Sequence, residues 1–214
     1  MGFQLTSADY VEYINLAYQK IHENGDYVTE LDSATGDGDH WSNINMGFEK
    51  LVEISDELKT LSLFDEFKKI GMTMMAVIGG SSGVLYGSAY LGAAKTLKGK
   101  EVIENADLCE LLAAMLEAIM SRGNAKPGFK TMIDSLHPAV ECYRECIANG
   151  VSEKETLEKV KQAANDGAQN TAKMEAVRGR AFYQANKGVG HLDPGAITMA
   201  YQIETLMDFV AQKL

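Results

Sequence analysis

The amino-acid sequence predicts an all-α protein of about eight helices, and three observations carry that prediction. Apolar residues recur at three- and four-residue spacing through long stretches. Strand-like alternation is almost absent, since the β-branched pair Val77-Ile78 is too short to build a sheet. Only 3 prolines occur, and glycines cluster at 36–38, 79–83, 123–128 and 188–195, where helices would meet.

Taken in order, Val11, Ile14, Tyr18 and Ile21 mark one face of a helix over 7–23. A connection at 24–40 leads to a second helix over 41–55. Helices over 62–77 and 82–98 meet across a glycine-rich turn at 78–82. Leu108, Leu111, Leu112, Met115, Leu116 and Ile119 define 106–121. More polar helices follow over 129–148 and 152–173. Ile197, Ala200, Ile203, Met207 and Val210 define the last, over 195–212. No linker or repeat divides the chain, so residues 1–214 are expected to form one domain. If consecutive helices run antiparallel, the junctions at 24–40, 78–82, 122–128 and 174–194 fall at one end of the bundle. Four glycine-rich loops at one end suggest a site.

The composition limits what that site can hold. Hydrophobic residues make up 46% and charged residues 23%, enough apolar mass for a sizeable core. The net charge of −10 repels nucleic acid and anionic membranes, so neither is an expected partner. A phosphate site must therefore recruit local positive charge from metal ions, helix N-termini or arginines. No apolar run is long enough to span a membrane, and no signal peptide is visible at the N-terminus. Cys109, Cys142 and Cys146 lack close metal-ligand spacing and read as structural; all this fits a reducing cytoplasm.

The most informative stretch is Leu31-Asp32-Ser33-Ala34-Thr35-Gly36-Asp37-Gly38-Asp39-His40. Asp37 and Asp39 can point into one volume only if the chain bends, which the glycines permit. Asp32 adds a third carboxylate. Three convergent carboxylates repel one another unless a cation sits between them. Hard oxygen ligands without thiolate suit Mg²⁺, Mn²⁺ or Ca²⁺. Alternatively these residues are turn formers and caps, with Asp39 capping the helix that begins near Trp41. The spacing does not fit an EF-hand.

Three further loops contain candidate phosphate ligands. Gly79-Gly80-Ser81-Ser82-Gly83 opens a helix, presenting free backbone N–H groups, the positive end of a dipole and two hydroxyls. The segment Gly123 to Thr131 imitates a P-loop, but has one residue too many before Lys130 and no preceding strand. Arg178 and Arg180 are candidate phosphate ligands in a chain this acidic. Asp193 and Pro194 read as N-cap and first residue of the last helix, ahead of Gly195. His40 and His191, one in the first loop and one in the last, more often serve packing than chemistry.

The ordered set Asp32, Gly36-Asp37-Gly38-Asp39-His40, Asn43, Met46, then Gly79-Gly80-Ser81-Ser82-Gly83 and Tyr86-Gly87, then Lys130-Thr131-Met132 and Asp134, then Gly179-Arg180-Ala181, Gly190-His191 and Asp193-Pro194-Gly195 resembles the nucleotide-binding subunit L family of bacterial dihydroxyacetone kinases. The resemblance runs from about residue 5 to the C-terminus. It implies a closed barrel of eight antiparallel helices holding ADP or ATP at one end through two Mg²⁺ ions on Asp32, Asp37 and Asp39. It places His40, Asn43, Gly80, Ser81, Ser82, Gly123, Met132, Arg180, Asp193, Pro194 and Gly195 around the nucleotide, with Met132 against adenine and the serines and Arg180 on phosphate. It further implies a separate subunit K holding dihydroxyacetone or a related small ketose. ADP would be recharged by a phosphohistidine subunit M of the phosphotransferase system, drawing on phosphoenolpyruvate.

Two residues depart from the family pattern. Trp41 replaces a small glycine after the Asp-His pair, and Phe129 replaces an aspartate ahead of Lys130. A tryptophan there is expected to cover the nucleotide or alter a docking surface. Two other readings compete with the kinase subunit. One is a nucleotide-sensing partner of a transcription regulator; the other is a metal-dependent phosphatase.

Overall fold

The computed structural model describes residues 2–214, and among them the fold is all-helical. Ten α-helices run α1 Ser7–Glu23, α2 Gly25–Thr35, α3 His40–Glu53, α4 Ser55–Leu58, α5 Leu63–Val77, α6 Gly80–Thr96, α7 Asn105–Gly123, α8 Ile133–Ala148, α9 Glu153–Asn170 and α10 Pro194–Ala211. Short 3-10 turns cover Thr171–Lys173 and Arg180–Tyr183. The one β feature among the described residues is an isolated bridge between Leu5 and Ile103. None of these helices is long and apolar enough to cross a membrane.

The helix starts follow local chemistry. Thr6 and Asp9 form a reciprocal capping box at α1. Ser62 and Ser152 cap α5 and α9 through their hydroxyls. Asp193 caps α10 by accepting the Ala196 N–H at 2.7 Å, with Pro194 in the first turn, as the sequence predicts.

Packing then arranges the helices. Eight of them touch in the order α1, α3, α5, α6, α7, α8, α9, α10, and α10 returns to α1, so the neighbours close a ring. The main core fills the interior with Ile14, Phe48, Phe67, Tyr90, Leu111, Tyr143 and Ile203 among others. A smaller cluster of Val28, Ala168, Ala196, Ile197 and Ala200 fastens α2 to α9 and α10.

That second cluster explains the main departure from the sequence expectation. The 24–40 segment is no loop: residues 25–35 form α2. Burial of Val28 against α9 and α10, worth about 1.5–3 kcal/mol, supplies what the weak sequence pattern does not advertise. Asp32 thus stands on a helix, one turn beyond Val28. A second difference lies before α8. Residues 125–132 form turns rather than the start of a helix, with Lys130 at φ +61°.

Candidate cation and phosphate cleft

Four segments converge on one cleft of about 630 Å³. They are the end of α2 with the turn to α3, the start of α6, the segment from Gly123 to Ile133, and the residues before α10. The cleft is lined by Asp32, Asp37, Asp39, His40, Ser81, Ser82, Gly123, Met132, Arg180, Asp193, Pro194 and Gly195 from the sequence-derived set. Asn43 and Gly80 are not among its lining residues. Asn43 packs beneath the turn, where a Cβ on Gly79 would stand 2.9 Å from its Oδ1.

One oxygen from each of Asp32, Asp37 and Asp39 lies within 4.8 Å of the others. Backbone geometry makes that convergence possible. A Cβ on residue 36 would collide with Asp32 Oδ1, and Gly38 sits at φ +78°, so glycine is required at both positions. Asp32 is buried and its Oδ2 accepts the His40 N–H at 2.9 Å. It thereby takes the capping role that the sequence assigns to Asp39. Asp39 precedes α3 but makes no side-chain cap, leaving its carboxylate free. Asp37 pairs with Arg180 across the cleft. Three hard oxygen donors at this spacing fit a divalent cation such as magnesium, and the two more exposed carboxylates leave room for a ligand oxygen.

His40 is held rather than free. Its Nε2 lies 2.8 Å from Thr198 Oγ1, and burial lowers its pKa although Asp32 and Asp39 oppose that shift. Burial also pushes the Asp193 carboxyl up to about 7, against the Ala196 N–H and the charge of Lys130.

Elements suited to an anion stand beside the carboxylates. Helix α6 begins at Gly80 without a side-chain cap, so its first-turn N–H groups are open beside Ser81 and Ser82. On the far wall, Leu85, Ile119, Ala125, Met132 and Ile133 give an apolar surface suited to a flat aromatic ring.

The structure also adds lining residues. Leu85 and Ile119 read in sequence as ordinary core positions, because periodicity does not reveal which end of a helix opens onto a cleft. Thr35 is hidden in the sequence by the unrecognised helix α2, and Arg122 by its place in the last turn of α7. Conversely, the two family departures turn away from the cleft. Trp41 packs across Gly25, whose Cβ would meet the indole at 2.7 Å, and its Nε1 donates to Ile21 O at 3.0 Å. The expectation that it covers the ligand is therefore corrected: the small Gly25 opposite gives the ring a slot between α1, α2 and α3. Phe129 packs partly buried against the main core.

The cleft thus marks the class: an all-α protein whose loops gather three convergent carboxylates, the open N-terminus of α6 and an apolar slot at one place. The chain belongs to the DAK2 domain family, which matches residues 34–208, and within it to the ADP-binding subunits of dihydroxyacetone kinases. It is 38% identical to the PTS-dependent dihydroxyacetone kinase ADP-binding subunit DhaL of Lactococcus lactis subsp. lactis, over 97% of this chain and 100% of that one. It is 32% identical to the PEP-dependent dihydroxyacetone kinase ADP-binding subunit DhaL of Escherichia coli, over 94% and 96%. The dihydroxyacetone kinase of C. freundii in complex with AMP-PNP and Mg²⁺ superposes with a TM-score of 0.75 at 25% identity. That match covers 97% of this chain and 35% of the C. freundii chain, so this chain spans about a third of that structure.

Proposed function

We propose that this chain, acting as one domain over residues 1–214, is the ADP/ATP-binding subunit of a dihydroxyacetone kinase complex. The observation that carries the reading is the triad Asp32, Asp37 and Asp39, with oxygens within 4.8 Å of one another, beside the open N-terminus of α6. Asp32, Asp37 and Asp39 would hold the two magnesium ions, which would supply positive charge against the phosphates of the nucleotide.

The chain's own residues do the positioning. Ser81 and Ser82 offer hydroxyl and backbone donors to phosphate oxygens. Arg180, now paired with Asp37, is within reach of the same phosphates. The apolar wall with Met132 seats adenine. Asp193 and Pro194 fix the start of α10, and Gly195 lines the cleft beside them.

The acceptor, dihydroxyacetone or a related small ketose, sits on a separate subunit K, and ADP is recharged by a phosphohistidine subunit M from phosphoenolpyruvate. Support for a second chain at the cleft mouth comes from Phe182 and Tyr183, which stack edge-to-face at 5.4 Å in the segment carrying Arg180. Tyr183 is 86% exposed there.

Calorimetry of ADP with and without magnesium tests the assignment. Binding should require magnesium and vanish in Asp37→Ala while helix content survives. Metal-independent ADP binding, or wild-type affinity in the variant, would refute it. Phosphoenolpyruvate-dependent phosphorylation of dihydroxyacetone in a reconstitution with subunits K and M separates a kinase subunit from a sensor of a transcription regulator.

A further inference from the structure

The segment from Met174 to Asp193, which carries Arg180 to the cleft, has little regular structure of its own. Apart from short turns within it and the first turn of α10, its backbone bonds to the rest of the chain are Met174 N–H to Thr171 O, Val177 N–H to Phe129 O and Gly190 N–H to Ala172 O, while Ala176 N–H to Lys187 O closes it on itself. The strap's own side chains add exposed ties from Arg178 to Asn124 O, from Gln184 to Ala34 O and from Arg180 to Asp37, and a buried side chain from another segment reaches it from beneath. Lys130 is 2% exposed, although lysine is almost never fully buried without a partner. Its ammonium donates to Thr171 O at 2.5 Å and to His191 O. The first carbonyl lies just past the C-terminal end of α9, where the helix dipole favours a cation. The second lies in the turn leading to Asp193 and α10. The lysine stem runs beneath the strap, where a Cβ on Gly188 would stand 3.1 Å from Lys130 Cε and 3.0 Å from Ala181 Cβ.

The local backbone fits such a seat. Lys130 adopts φ +61°, a conformation that is strained for a residue with a side chain and persists only where its surroundings enforce it. Asp134 enforces it by accepting the N–H groups of Gly128 at 2.5 Å and Thr131 at 2.8 Å, on either side of the lysine. Thr171 is tied twice, because its Oγ1 also accepts the Asp193 N–H at 3.0 Å. Lys130 therefore links the turn before α8, the end of α9 and the approach to α10 through one ammonium group.

We propose that Lys130 is a positioning residue: it holds the strap 174–193, and with it Arg180 and the start of α10, in place around the nucleotide. This rests on the nucleotide-subunit reading. A lysine that serves only overall stability would spread its effect through the core. A positioning lysine confines it to the strap and to the ligand the strap touches.

Amide hydrogen exchange on the full chain without nucleotide, comparing wild type with Lys130→Met, makes the distinction. Loss of both carbonyl bonds should speed exchange of Ala176, Val177 and Gly190 by at least about tenfold, with the α5 and α6 core amides within about twofold of wild type. Calorimetry should show ADP·Mg²⁺ bound at least about tenfold more weakly, with Mg²⁺ alone bound as in wild type. Unchanged strap exchange, acceleration spread evenly through the chain, or wild-type ADP affinity would each overturn the proposal. If Lys130→Met does not fold, Gly188→Ala disturbs the same seat from the strap side, and its exchange pattern decides in the same way. Wild-type protein that binds no ADP would refute the nucleotide reading, while the exchange comparison still decides whether Lys130 seats the strap.

Discussion

Asp32 Oδ2 accepts the backbone N–H of His40 at 2.9 Å, so one carboxylate both caps α3 and faces the cleft. Asp39, the residue next to that helix, makes no cap. The two aspartates should therefore separate under mutation. Asp32→Ala should cost about 0.5–2 kcal/mol of stability and also abolish magnesium-dependent ADP binding. Asp39→Asn should weaken metal binding at least about tenfold with stability within about 0.5 kcal/mol of wild type. Thermal melts alongside calorimetry measure both; equal stability losses would contradict the division of roles.

The Arg180–Asp37 pair is exposed, with side-chain exposures of 66% and 38%. Arg180→Gln should change stability by no more than about 1 kcal/mol. ADP·Mg²⁺ affinity should nonetheless fall about tenfold through the lost charge-assisted phosphate contact. A variant that binds ADP normally by calorimetry would remove Arg180 from the site.

Trp41→Phe should cost about 1 kcal/mol, since it removes the hydrogen bond to Ile21 O and part of the packing on Gly25. ADP affinity should stay within about twofold, because the indole points away from the cleft. Urea unfolding and calorimetry test the pair of outcomes.

Glu66 is fully buried in α5 with neither carboxylate oxygen hydrogen-bonded. Burial pushes its pKa up to about 8 from 4.5, only partly offset by the nearby Ser7 hydroxyl. The folded protein then binds a proton that the unfolded chain has released. Glu66 therefore lowers stability as pH rises from about 4.5, and the loss levels off near 8. Between pH 4.5 and 7 the loss amounts to about 3 kcal/mol. Glu66→Gln should be more stable than wild type at pH 7, with the gap closing toward pH 4.5. A gap independent of pH in denaturant titrations would show that Glu66 does not ionise this way.

Helix by helix, what the sequence reveals depends on how strongly each segment declares itself. Helices α1, α7 and α10 announce themselves through apolar period, and α10 also through the cap Asp193 with Pro194. Helix α2 does not, because its apolar face amounts to little more than Val28 and Leu31. Its stability comes from α9 and α10, more than a hundred residues away. The strained backbone at Lys130 is equally silent, since nothing in the local sequence calls for a lysine at positive φ.

By itself, then, the sequence determined the helical class, the acidic surface, the aspartates with the glycines that let them converge, and the family. These are local properties of composition, period and motif. Only the tertiary structure decided that Asp32 and not Asp39 caps α3, that Trp41 turns into a slot instead of over the cleft, and that a buried lysine seats the strap bearing Arg180. Each of those depends on which distant backbone or side chain comes within a few ångströms, and chain order does not carry that information.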